Sequence, residues 1–211
     1  MPFDRPFAEA LVSTVAESGW SASLPPGQLP NPLPLQLSRG DVALNLLIHA
    51  RNLRPQSSEH SDHNRPPGEW HVQLTFDGDN RYERNRLRFQ ENFTTVLFGF
   101  VPVGDTYLIA AFDPSVHADY SWSTSIQVRK EFLDAAQETG MSFQVRGNAE
   151  TVFIFRLEHI LKYLLLIAEI HRFTDEQINT LLRDPAASEV YESAVLQAVE
   201  TSQLPLLEAR E

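Results

Sequence analysis

At 211 residues, with 42% hydrophobic and 21% charged side chains, the chain has the size and composition of one globular domain with appendages. The lack of cysteine excludes a disulfide framework, a thiolate nucleophile and a zinc–thiolate site, and fits a reducing cytoplasm. The net charge of −11 argues against a uniformly basic surface, but it is unevenly spread: −2 over residues 1–38, −1 over 39–130 and −8 over 131–211.

Residues 4–18 carry a helix signature. Asp4 caps, Pro6 suits the first turn, and Phe7, Leu11 and Val15 repeat on one face. Met1 to Trp20 carries acids and no continuous apolar run, so it does not read as a signal peptide. The prolines of 24–34 remove too many backbone N–H donors for helix or central strand, which predicts an extended linker. The main domain then reads as strands. Val42 to Ala50 is apolar-rich and leads into a polar loop over 55–68. Trp70, Val72 and Leu74 alternate with His71 and Gln73, the period of a half-buried strand. Asp77-Gly78-Asp79-Asn80 is a turn. Thr94 to Val101 and Thr106 to Phe112 flank a hairpin signal at Pro102-Val103-Gly104-Asp105. Ser125 to Arg129 is a short strand, and Glu131 to Thr139 a helix stopped by Gly140. Met141 to Val145 and Thr151 to Phe155 pair across Arg146-Gly147-Asn148.

The remainder is helical. Leu157, Ile160, Leu161, Leu164, Leu165 and Ala168 keep one helical stripe, Thr174 and Gln177 frame a capping box, and Tyr191 to Val199 repeats the spacing. The longest apolar run, Tyr163 to Ala168, is far short of the roughly 20 residues that cross a bilayer. The expected fold is α+β: an antiparallel sheet or partial barrel flanked by an N-terminal helix and C-terminal helices. The expected plan is a helical arm over 1–23, a Pro-rich linker over 24–38, a core over 39–170 and an acidic helical extension over 171–211.

No recognisable catalytic constellation accompanies this plan. Asp113-Pro114 follows a strand, as the first acid of a metal-dependent nuclease would, but no strand with Glu-x-Lys matches it. His60, Asp62 and His63 fall in a polar loop of the kind usually just solvated. Asp77-Gly78-Asp79-Asn80 resembles the start of a calcium loop, but its glycine is misplaced and Arg88 stands where the bidentate glutamate belongs. His117, Asp119 and Ser121 are close in sequence, which does not make a triad. Nucleotide-binding and nucleophile-elbow fingerprints are absent from the sequence.

The arginines are more informative. Arg81, Arg84, Arg86 and Arg88 bring four guanidinium groups into eight residues, and the last three share one face of an extended strand. Such a row suits either a charge-protected edge strand or a phosphate-binding surface. Ser123, Ser125, Gln127 and Arg129 alternate onto one face, opposite Thr124, Ile126 and Val128. Serine, glutamine and arginine are side chains that hold phosphates and read base edges.

The order of segments resembles a family of small domains encoded with bacterial DNA methylases and restriction enzymes, the methylase-associated domains. The resemblance covers roughly 39–165 and rests on three stretches. These are Arg65-Pro66-Pro67-Gly68-Glu69-Trp70-His71-Val72-Gln73, the hairpin from Phe98 to Asp113, and Ser125-Ile126-Gln127-Val128-Arg129 before a short helix. It implies DNA recognition in a bacterial restriction–modification or defence system, beside a DNA methylase or restriction nuclease subunit. The expected contact set is Arg65, Trp70, Gln73, Arg81, Arg84, Arg86, Arg88, Ser123, Ser125, Gln127, Arg129 and Lys130. No catalytic residue, metal or cofactor is expected, and DNA is the expected partner. The rival expectations are a divergent metal-dependent nuclease using Asp113, and an interaction subunit whose acidic C-terminal helices dock a methylase or nuclease.

Overall fold

The structure, a computed structural model, describes residues 2–55, 68–75, 87–118, 123–171, 173–174, 176–178 and 180. Helix α1, Arg5–Glu17, starts at its expected cap: Asp4 Oδ1 accepts from the Phe7 N–H at 2.9 Å. Its stripe of Phe7, Leu11 and Val15 is fully buried, and the Phe7 ring stacks on Phe100 with centroids 4.1 Å apart.

After a short β1, Ser21–Ala22, the Pro-rich stretch departs from the expected linker. Leu33–Arg39 is a strand, β2, in which buried Leu33, Leu35 and Leu37 alternate with exposed Pro34 and Gln36. Proline is tolerated there because β1 pairs only with Leu37 and Ser38. Pro34 thus has a strand on one side alone, and its missing N–H breaks no described ladder. Upstream, the Asn31 side-chain amide donates to the Ala50 carbonyl at 2.7 Å.

β3, Val42–Pro55, runs five residues beyond its expected end. It pairs antiparallel with β2 and parallel with β5, Thr94–Val103. β5 turns at Gly104 into β6, Thr106–Phe112. β4, Glu69–Thr75, pairs with the far end of β3 and with β7, Ser123–Arg129. Helix α2, Lys130–Thr139, ends at Gly140, whose φ of 92° suits glycine alone without strain. β8, Met141–Val145, and β9, Thr151–Arg156, form the expected hairpin, and β9 joins β6. A 3-10 turn, Leu157–His159, leads into α3, Ile160–Ile170. The capping box forms as expected: Thr174 N–H donates to Gln177 Oε1 at 2.9 Å, and Gln177 N–H to Thr174 Oγ1 at 3.3 Å. The helical stripes expected after residue 180 lie outside the described residues.

The fold is α+β, as expected. The sheet runs β1-β2-β3-β5-β6-β9-β8 and is open, and among the described residues the β3–β5 pair is its one departure from an antiparallel order. Parallel neighbours need a crossover, and here the crossing segment carries β4. The sheet separates two apolar cores. On one side α1 and α3 cover Phe98, Phe100, Phe153 and Phe155 around Tyr163. On the other, α2 and the β4–β7 ribbon cover Leu97, Leu108, Phe112 and Ile154 with Leu133, Val72, Ile126 and Val128. Among the described residues, no helix is long and apolar enough to cross a membrane.

The ribbon is seated through Gly99. A methyl group there would stand 2.8 Å from Leu53 Cγ and 3.1 Å from Val72 Cγ2. Those partners are buried side chains that hold β3 and β4 together, so relief requires a shift of the strands. Gly99→Ala is therefore expected to lower the unfolding free energy by about 1–3 kcal/mol, measured by urea denaturation. An unchanged midpoint would mean the ribbon is not packed this closely.

Candidate nucleic-acid interface

Antiparallel pairing places directly opposed residues on the same face. Across β4 and β7 the opposed pairs are Glu69 with Arg129, His71 with Gln127, and Gln73 with Ser125, while Ser123 stands opposite Thr75 in register. Arg54 on β3 stands opposite His71, which extends the row to a third strand. Val72, Ile126 and Val128 point the other way and are buried, so the polar set is the ribbon's open face. The expected alternation of Ser125, Gln127 and Arg129 is thus found, and Gln73 joins them.

Other expected contacts stand elsewhere. Trp70 lies on the inward face, packed against the second core, which removes its ring from the polar row. Lys130 opens α2 and places Nζ 2.6 Å from both carboxylate oxygens of Asp134, so its charge is answered within the helix. Arg88 is exposed beside Pro30, Pro32, Pro34, Leu47 and Phe89, in a groove that shares no lining residue with the ribbon. Arg65, Arg81, Arg84 and Arg86 lie outside the described residues, as do Asp77 to Asn80, His60 to His63, Asp119 and Ser121.

Arg129 is held at both ends. Its N–H donates to Gln144 Oε1 at 2.9 Å, and its guanidinium stands 3.5 Å from Glu131. The described part of the face is accordingly close to neutral, with Arg54 and Arg129 set against Glu69 and Glu131. Its chemistry is that of amides, hydroxyls and one imidazole between two guanidinium groups, and it favours hydrogen-bond recognition over bulk charge attraction.

The face ends at a cleft of about 650 Å³ between the last residues of β3, β4 and the segment before α1. Arg51, Asn52, Arg54, His71 and Gln73 line it over an apolar floor that includes Ala50 and Phe100. Arg51 and Arg54 fall outside the expected contact set, because the apolar run that signals β3 stops at Ala50. His71 carries a signal: it alternates with Gln73 and so must share its face.

A second polar group lies buried between the β6 end and the β8–β9 turn. Glu150 Oε1 stands 2.5 Å from His117 Nε2, its other oxygen accepts from Arg146, and the Asp113 N–H donates to Oε1 at 3.3 Å. Burial pushes the Glu150 carboxyl upward, but the hydrogen bond and charge of His117, with Arg146, outweigh it and hold the carboxyl below its ordinary value. Nearby, fully buried Tyr163 shares a hydrogen bond with His171 Nε2 at 2.8 Å. Burial pushes the Tyr163 hydroxyl well up and the His171 ring down. Asp113 is itself engaged by Ser115, whose N–H and hydroxyl donate to its Oδ1 at 2.8 and 2.7 Å. Both acids nearest the expected nuclease position are therefore bound into local structure, and no group of three or more metal-ligating side chains converges among the described residues.

The family described as methylase-associated X1 matches residues 45–164, which contain β4 to β9, α2 and most of β3. No curated protein and no solved structure matches the chain.

Proposed function

Because the chain belongs to the methylase-associated X1 family, we propose that it is a DNA-recognition component of a restriction–modification system, reading duplex DNA with the open face of the β4–β7 ribbon. The observation that carries this reading is the placement of Gln73 and Gln127 on one exposed ribbon face, with Ser125 and His71 between them and Arg54 and Arg129 at the margins. A two-stranded ribbon fits the major groove of B-form DNA, and a glutamine amide matches the donor–acceptor edge of adenine. Guanidinium groups at the margins reach phosphates, which repeat at every step and fix position without reading sequence. Helix α3 packs on the opposite side of the sheet from the ribbon.

The test is a salt titration on a random duplex and on a duplex enriched from a random pool. Arg54, Arg84, Arg86 and Arg129, each changed to Ala, are expected to weaken both duplexes alike. For every phosphate no longer neutralised, the magnitude of the salt slope falls by roughly one. Gln73→Ala or Gln127→Ala instead relaxes preference at one base pair, by about 1–3 kcal/mol. Unchanged binding in the quadruple arginine variant, with a native far-UV spectrum, would falsify the DNA reading and favour a protein-docking subunit.

A further inference from the structure

We infer that the cleft at the end of the ribbon holds a single nucleotide unit swung out of the duplex that lies on the ribbon. This rests on the DNA-recognition reading and adds to it a site for one base and its phosphate. The cleft's volume of about 650 Å³ lies within the range of pockets that enclose small organic ligands, about 300–1,000 Å³. His71 and Gln73 belong both to the reading face and to the cleft wall, so the site begins where the duplex would end its contact.

The lining has the chemistry of a nucleotide site. Three arginines, Arg5, Arg51 and Arg54, and one acid, Asp4, line the cleft; Arg5 is paired with Glu9 at 3.4 Å, and the Asp4 carboxylate is engaged in capping α1. Two of the arginines brace the walls. The Arg51 guanidinium donates to the Pro2 carbonyl at 3.3 Å, and that of Arg5 to the carbonyls of Pro25 and Gly27. Arg54 is exposed and makes no ion pair among the described residues, so its guanidinium stands ready for an anion at the rim. His71 lines the inner wall beside Gln73. Asn52 and the apolar floor of Ala50 and Phe100 complete a site with polar edges for a base and an apolar bed for its ring.

The experiment uses short duplexes carrying the fluorescent adenine analogue aminopurine at each position in turn, with anisotropy recording binding in the same samples. At saturating protein, one position is expected to brighten several-fold as its base leaves the stack. A mismatch at that position tightens binding about tenfold, because less pairing is lost on extrusion. With protein raised until anisotropy shows the duplex saturated, so that weaker binding is compensated, the Arg54→Gln and His71→Ala variants are expected to lose the brightening and the mismatch gain. Arg54 is exposed, so its variant tests the site without threatening the fold. Binding by anisotropy with no brightening at any position overturns the cleft site and leaves the recognition reading standing. No binding to any duplex overturns both. Brightening that persists unchanged in both variants places the extruded base elsewhere and overturns the assignment to this cleft.

Discussion

Replacing Glu150 by alanine is expected to lower the unfolding free energy by about 3–5 kcal/mol at neutral pH. Its carboxylate is fully buried and faces the His117 imidazole and the Arg146 guanidinium, together with the Asp113 backbone N–H. Removing it takes one hydrogen-bond partner from a buried imidazole, the counter-charge from a guanidinium that is only 22% exposed, and the acceptor from a backbone N–H. Glu150→Gln keeps an acceptor for one partner and loses the charge, so a smaller loss is expected. Because the folded carboxyl is held below its ordinary value of 4.5, its contribution is present above that pH. The contribution fades as pH falls through the lower folded value. The gap between the wild type and Glu150→Gln should therefore narrow in acid, measured by urea denaturation at stepped pH. A loss under about 1 kcal/mol in Glu150→Ala would show that the buried group is an incidental contact.

Acid should also act through His49. This side chain is 5% exposed, and burial drives its pKa from 6.5 down to about 4. A depressed folded value means the unfolded chain binds the proton more readily. The stabilising effect is complete above 6.5, declines as pH falls below it, and is gone below about 4. The shift corresponds to on the order of 3 kcal/mol across that window. His171, also lowered chiefly by burial, acts in the same direction. The decisive readout is the slope of unfolding free energy against pH between 6.5 and 4, which His49→Gln should flatten whatever its effect on absolute stability. Equal slopes in wild type and variant would remove His49 as the cause.

Local signals carry much of this fold. Asp4, the Phe7–Leu11–Val15 stripe, the turn at Gly104, the stop at Gly140 and the Thr174–Gln177 box all act within a few residues, and each stands where the sequence points. Periodicity also assigns the faces of β4 and β7 correctly, because a strand's alternation depends on nothing beyond itself. It does not assign partners. That β4 meets β7, or that β3 lies parallel to β5, is decided by tertiary packing over Gly99 and the second core. β2 is obscured because its proline sits where a strand lacks a second neighbour, a circumstance visible only in the sheet. The cleft is hidden for a related reason: Arg51 and Arg54 read as loop residues until β4 extends the pairing of β3. Glu150 looks like the flank of a turn, and its partners converge only when β6 and β9 are side by side.

The β4–β7 pairing joins stretches about fifty residues apart in sequence, and the β5–β6 hairpin lies in the loop it closes. A molecule lying across both strands would fasten the two ends of that loop, a reversible staple across the middle of the domain. By mass action it would add about 2.7 kcal/mol to the folded state at a hundredfold excess over its dissociation constant. The surface that recognises a ligand would then also register, as a rise in melting temperature, that the ligand is bound.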